Sequence, residues 1–296
     1  MRCAAAALAI AAASLCAAAA QAGETRCWLD QGAVVAPAAF GDIAGDFLVD
    51  FSAARSALHL DTAQSHGLDG TQVSGALVLA GERLDARFDV VSLDERTRGL
   101  PTSIDGLIGA DALAGRVVDL SFSPCRIVIW RGRPPPVRAL ARLPLAMTNG
   151  APTFAASISD GRTALRGRFA IDTGTAAVRI ASAAARLSRP GADAGSRLAP
   201  PARLDALGVD GLVLRGLPAA LASDLPAGVL GGVGDAAWAG YDLRIDLSRM
   251  RLELSAPRPA RSGDSSHRAG RRRSRGRSSP RGRSACARSS SGRRPR

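Results

Sequence analysis

Lysine is missing from this 296-residue chain, and all 39 basic residues are arginine. With the heavy alanine content, that points to GC-rich, bacterial coding, which is a statement about codons rather than physics. Aromatic residues make up only 4% of the chain, so any core must be mostly aliphatic. Histidine is scarce, and His59 and His66 have no cysteine or carboxylate cluster at ligand spacing, which argues against a metal site. No G-x-S-x-G motif marks a serine hydrolase. Gly231-Gly232-Val233-Gly234 is glycine-rich but does not open a phosphate-binding helix, so a nucleotide loop is not supported. No cofactor is implied. Beyond the N-terminus, no run is long and apolar enough to cross a bilayer.

The formal net charge of +13 belongs to one end. Residues 256–296 hold 14 arginines and one aspartate, giving 14 − 1 = +13, while the other 255 residues hold 25 basic and 25 acidic side chains. The body is therefore neutral. At the other end, residues 1–22 carry one early arginine, a long alanine-rich apolar run and the small-x-small ending Ala20-Gln21-Ala22. That pattern predicts a secretory signal cleaved before Gly23, and a periplasmic or secreted protein. Leu15 is too bulky to precede a lipidated Cys16.

Cys3 and Cys16 leave with the signal, so Cys27, Cys125 and Cys286 remain. Export implies an oxidising compartment. Cys27 lies at the start and Cys125 in the last strand region of the first half, so a Cys27–Cys125 disulfide would tie that half together. The alternative is two buried thiols.

Most of the body reads as short strands of Val, Leu and Ile punctuated by Gly, Pro, Asn and Asp. FLVDF (47–51), GALVLAG (75–81), ARFDVVSL (86–93) and CRIVIW (125–130) are examples. Asn149-Gly150 and Asp160-Gly161 are turn signals, 204–217 reads as a hairpin, and 244–255 as a strand pair. Helical signals are confined to about 62–66, 111–113 and 182–187. Asp61 is placed as the N-cap of the first. Asp111, Asp119 and Asp246 read as turn or cap residues near strand ends.

An acid-centred segment occurs twice. Residues 45–54 read GDFLVDFSAA and 167–176 read GRFAIDTGTA, with Asp50 and Asp172 in register at 172 − 50 = 122. Gly106-Leu107-Ile108-Gly109 and Gly228-Val229-Leu230-Gly231 lie at the same offset, 228 − 106 = 122. Two matches at one spacing indicate a duplicated unit. The expected layout is a first lobe over 23–130, a Pro-rich linker over 131–139, a second lobe over 140–255 and a disordered Arg/Ser-rich tail over 256–296.

Asp172-Thr173-Gly174-Thr175 after an apolar strand, with Val229-Leu230-Gly231 downstream, resembles the retropepsin/pepsin-like aspartic proteases, in particular bacterial exported proteins with tandem retropepsin-like domains. The resemblance covers about 27–255. It implies a mainly β fold of two barrel lobes forming an intrachain pseudo-dimer, with an aspartic endopeptidase activity acting on an extended polypeptide. Asp50 and Asp172 would share one proton, because like charges so close cannot both ionise. Thr173 would reach across to the other lobe, Gly174 would let backbone approach a carboxylate, and Thr175, Gly109 and Gly231 would support the loops. The hairpins at 71–93 and 202–219 would act as flaps. The first lobe departs from the pattern. Phe51 removes the cross-lobe hydroxyl, and Ser52 carries a Cβ where the family has none. An alternative is a peptide-binding module on the same scaffold without turnover.

The tail, RRRSRGRSSPRGR and its flanks, offers contacts to an anionic envelope surface. No aromatics interleave the arginines, so base stacking and specific nucleic-acid binding are not supported. The simpler reading is a dispensable solvated extension. A monomer is expected.

Overall fold

Local sequence selects the strands for readable reasons. In 82–91 (ERLDARFDVV), Leu84, Ala86 and Phe88 are buried while Arg83, Asp85 and Arg87 are exposed. This period of two lays one face on a core. Asn149-Gly150 (φ 48° and 84°) and Asp210-Gly211 (φ 43° and 81°) take positive φ at both central residues, the turn type that matches strand twist in a two-residue hairpin. Asp160-Gly161 follows a strand that ends at Ser159 and pairs with the one that starts at Ala164.

The structure is a computed structural model that describes residues 22–161, 164–182 and 203–258. The expected signal up to residue 21, most of the helix expected at 182–187, the tail from 259 and Cys286 lie outside the described residues. In chain order, the first half holds β1 (Ala22–Arg26), β2 (Trp28–Asp30), β3 (Ala33–Phe40), β4 (Ile43–Val49), β5 (Ser56–His59), α1 (Leu60–Ser65), β6 (Gln72–Leu79), β7 (Glu82–Val91), α2 (Asp94–Thr97), β8 (Gly106–Ile108), β9 (Val117–Phe122) and β10 (Cys125–Trp130). The second holds β11 (Ala139–Pro144), β12 (Ala146–Thr148), β13 (Ala151–Ser159), β14 (Ala164–Ile171), β15 (Val178–Ala181), β16 (Arg203–Val209), β17 (Leu212–Ala222), β18 (Gly231–Val233), α3 (Asp235–Trp238), β19 (Asp242–Asp246) and β20 (Arg251–Ser255).

The strand order β2-β3-β4-β8-β5-β7-β6 in one lobe recurs as β12-β13-β14-β18-β15-β17-β16 in the other. In each, a further pairing, β3–β6 or β13–β16, closes six of the strands into a barrel. A third sheet, β1-β10-β9-β19-β20-β11, takes strands from both halves and reads the same from either edge when the halves are exchanged. This is a mainly β arrangement of two barrel lobes, as the sequence resemblance implies.

Each barrel is filled by its own aromatics and aliphatics. Phe88 packs against Phe40 at 4.5 Å and Phe47 at 6.3 Å, and Phe154 meets Trp238 edge-on at 5.9 Å. The Cys27–Cys125 disulfide forms, across a sequence separation of 98 residues.

Three local expectations are corrected. The N-cap of α1 is His59, and Asp61 is an exposed first-turn acid. Residues 111–113 form a turn rather than a helix, and the chain leaves it through Gly115 at φ 71°. Asp119 is no turn residue. It is buried at mid-strand in β9, where Arg244 grips it with Nε to Oδ1 at 2.6 Å and Nη2 to Oδ2 at 2.8 Å. Asp246, the last residue of β19, caps the turn that follows, as expected, accepting from the Ser248 and Arg249 backbone.

Candidate active site

Each acid follows a strand that ends beneath the lobe interface. β4 runs parallel to β8 and delivers Asp50, whose N–H donates to the Ile108 carbonyl at 3.0 Å. β14 runs parallel to β18 and delivers Asp172, whose N–H donates to the Val233 carbonyl at 3.1 Å. The acids are therefore equivalent in backbone as well as in sequence.

That equivalence corrects the glycine element. Phe47 is paired with Gly106, but Phe169 is paired with Gly231. The true counterpart of 106–109 is thus Gly231-Gly232-Val233-Gly234, at 231 − 106 = 125, and Gly234 rather than Gly231 matches Gly109. Side-chain likeness selects 228–231, whereas backbone crowding selects 231–234. A side chain at Gly106 would strike the Phe47 ring and the Ala57 carbonyl, and one at Gly231 the Phe169 ring and the Arg179 carbonyl.

The two acid loops meet. Thr173 Oγ1 donates to the Val49 carbonyl at 2.7 Å and accepts from the Phe51 N–H at 3.3 Å, while the Val34 N–H donates to the Thr173 carbonyl at 2.8 Å. The grip is one-sided, since Phe51, buried in the core at the position equivalent to Thr173, has no hydroxyl to return. Ser52 keeps the loop's other bond. Its N–H donates to Asp50 Oδ1 at 2.8 Å, as the Gly174 N–H does to Asp172 Oδ1 at 3.3 Å, and its hydroxyl adds a bond to Asp50 Oδ2 at 3.0 Å. Gly174 is required by the other lobe's acid, because a Cβ there would lie 2.8 Å from Asp50 Oδ2. Thr175 supports the loop by its carbonyl, which accepts from the Asp235 N–H at 2.9 Å.

Three residues that motif reading missed complete the site. Arg96 Nη2 donates to Asp50 Oδ2 and lies 3.8 Å from Asp172 Oδ1. Arg179 Nε donates to Asp172 Oδ2 at 2.6 Å, and its Nη1 to both oxygens of Asp224 at 2.9 and 2.8 Å. Arg96 Nη1 lies 3.6 Å from Asp224 Oδ2. The one available sequence signal was Arg179, which stands opposite Ala57 at the 122 offset. The segment 92–105 that carries Arg96 is anchored. Leu93 and Ile104 join Val35, Leu48 and Leu107 in a small apolar cluster, and the Thr102 N–H donates to Asp30 at 3.0 Å.

Burial, and next the charge of Asp50, raise the pKa of Asp172; Arg179 and Arg96 pull the other way without reversing the shift. Burial also acts upward on Asp224, but bonds from Arg179 override it and hold that carboxyl below its usual range. Burial opposes the charge on Arg179, yet Asp172 and Asp224 together raise its pKa.

The hairpins expected as flaps are placed elsewhere. A side chain at Gly23 in β1 would run into the Ala80 carbonyl at the β6–β7 turn. The Arg142 N–H in β11 donates to Asp210 at the β16–β17 turn at 3.0 Å. Both turns dock on the six-stranded sheet. They do so because β6 and β16 pair with β3 and β13, closing the barrels. Among the described residues, the connections after β7 and β17, which carry Arg96 and Asp224, lie over the acids.

Among the described residues no group of three or more His, Cys, Asp and Glu is arranged to hold a metal. Asp235, at the start of α3, is buried, and burial pushes its carboxyl up to about 6 against a weaker pull from the Ala236 N–H. A raised folded-state pKa favours folding of the protonated form. The contribution is full below about pH 4 and lost as pH rises through about 6. Asp235→Asn is therefore expected to match wild type at pH 4 and to be more stable by about 1–3 kcal/mol at pH 7. Urea unfolding at both pH values checks this, and an equal gain at both would refute it.

No family model matches the chain, and no curated protein matches it in sequence. Among solved structures the chain is similar to the aspartic proteinase from Irpex lacteus, at 16% identity and a TM-score of 0.49, over 80% of this chain and 98% of that one.

Proposed function

We propose that the chain is an aspartic endopeptidase in which Asp50 and Asp172 act as a proton-sharing pair. The observation that carries this is the convergence of two buried carboxylates, delivered by equivalent loops, on a single guanidinium nitrogen of Arg96. Asp172, with its raised pKa, is the member suited to hold the proton and donate it towards a peptide carbonyl. Asp50 is the member that accepts a proton from the attacking water. Arg96 lies against both acids, so turnover requires it to move aside. The Cys27–Cys125 disulfide and the signal-like pattern of residues 1–22 support an exported enzyme, and the arginine-rich sequence of the tail supports contact with an anionic envelope surface.

One observation favours a second reading. Arg96 and Arg179 give the two acids counter-ions that suit a static binding groove, which makes a non-catalytic peptide-binding module the alternative. The test compares wild type and Asp172→Asn on a mixed peptide set from pH 3 to 8. The hydrolase reading expects wild-type cleavage that falls as pH rises through the raised Asp172 pKa, and a loss of at least about 100-fold in the variant. Equal cleavage by both proteins would remove the Asp50–Asp172 mechanism, and cleavage by neither would leave the binding module.

A further inference from the structure

Two connections, one from each lobe, meet over the acids. Residues 92–105 bring Arg96 on α2, and residues 223–230 bring Asp224. Arg96 and Arg179 both reach Asp224, so this carboxylate lies between two guanidinium groups at the mouth of the acid pair. It differs from the acids below it. The Asp224 side chain is 58% exposed, whereas Asp50 and Asp172 are fully buried and Arg96 and Arg179 retain only 22% and 14% exposure. The arginines are thus fixed from beneath, and the carboxylate they hold from above is open to exchange.

We infer that Arg96 and Arg179 form a subsite for an acidic side chain of the substrate, with a glutamate or aspartate carboxylate taking the place of Asp224. The position rests on the hydrolase reading, because a peptide reaching Asp50 and Asp172 must part the Arg96–Asp224 contact that covers them. A neutral peptide then leaves two largely buried cations one counter-ion short, and a basic one adds like charge; both are unfavourable in a partly desolvated site. A carboxylate restores the balance, and the planar guanidinium fork suits its two oxygens.

The geometry also sets where the acidic residue lies. A single guanidinium, that of Arg179, bonds Asp172 through Nε and Asp224 through Nη1. The subsite therefore borders the reacting acid, and the residue recognised is next to the scissile bond. Lobe one has Ala57 at the equivalent position, so the subsite exists on one side of the pseudo-two-fold axis and gives the bound peptide a direction. Arg96 adds a coupling. A carboxylate that draws Arg96 upward weakens its hold on Asp50, so recognition and uncovering of the acids are one event.

The experiment uses full-length wild type, Asp224→Asn and Arg96→Gln with peptides that differ only by Glu, Gln or Lys beside the cleaved bond. Fluorescence anisotropy gives Kd and product formation gives kcat/KM. Wild type is expected to bind the Glu peptide at least about 10-fold more tightly than the Gln peptide, and the preference should shrink with salt. Asp224→Asn, which removes the internal competitor, should bind the Glu peptide more tightly still, and Arg96→Gln should lose most of the preference. Equal Kd values for the Glu and Gln peptides with wild type would overturn the subsite whatever the variants do, as would weaker Glu binding by Asp224→Asn. A Glu preference in Kd without any turnover upholds the subsite and removes the hydrolase reading, whereas turnover without preference does the reverse.

Discussion

Asp119→Leu is expected to lower the unfolding free energy by about 3–5 kcal/mol, because it strips a buried arginine of its partner. The reason lies in the pseudo-symmetry of the six-stranded sheet. β9 and β19 are its central strands and pair antiparallel, with Asp119 directly opposite Arg244. These two positions are equivalent in the two halves, since 244 − 119 = 125 is the same offset that relates Gly106 to Gly231. A true two-fold dimer would set one residue type against itself here, and either charge would repel its copy. Divergence of the halves into aspartate and arginine turns the contact into a bidentate pair. Arg244 then also donates to the Pro135 carbonyl at 2.5 Å and lies 5.8 Å over the Trp130 ring. The pair joins the lobes, so its loss should also loosen the meeting of Asp50 and Asp172. Chemical denaturation measures the effect. The double variant Asp119→Leu/Arg244→Met should recover most of it, since an apolar pair of similar volume carries no desolvation cost. A single-variant loss under about 1 kcal/mol, well below the buried-pair range, would show that Arg244 does not depend on the Asp119 carboxylate and would refute this account of the contact.

Reduction of the Cys27–Cys125 disulfide should cost roughly 3–5 kcal/mol in the chain-entropy account, because the bond closes a long loop. Cys27 sits between β1 and β2, where the shared sheet gives way to the first barrel, and its N–H donates to the Cys125 carbonyl at 3.2 Å. The bond thus clamps β1 beside β10 at the edge of the sheet. Guanidinium midpoints with and without reductant, set against a Cys27→Ser/Cys125→Ser variant, check the value. A variant as stable as the oxidised protein would assign the clamping to the β1–β10 ladder alone.

The glycine element shows where side-chain likeness misleads. Gly231 ends one G-x-x-G and begins the next, so sequence comparison accepted the earlier frame because Val229-Leu230 resembles Leu107-Ile108. Only the parallel pairing of β14 with β18 distinguishes the frames, since it decides which glycine faces a phenylalanine ring. The hairpins misled in a similar way. Their turns were legible, but the side of the barrel to which a turn points depends on which strand its neighbour pairs with.

What the sequence alone determined is what local chemistry encodes: the duplicated halves, the strand periods, the Asn-Gly and Asp-Gly turns, and the two acids at the ends of apolar strands. Phe51 and Ser52 could also be read in advance as the cause of a one-sided grip, because the missing hydroxyl is a property of the residue itself. Only the tertiary structure decided that Arg96, Arg179 and Asp224 gather over the acids. Arg96 stands 46 residues after Asp50 and Asp224 stands 45 after Arg179, and no periodicity links them. Their charges find one another because the connections after β7 and β17 are folded over the same interface, and a carboxylate buried there is stable as an ion only where a cation can reach it.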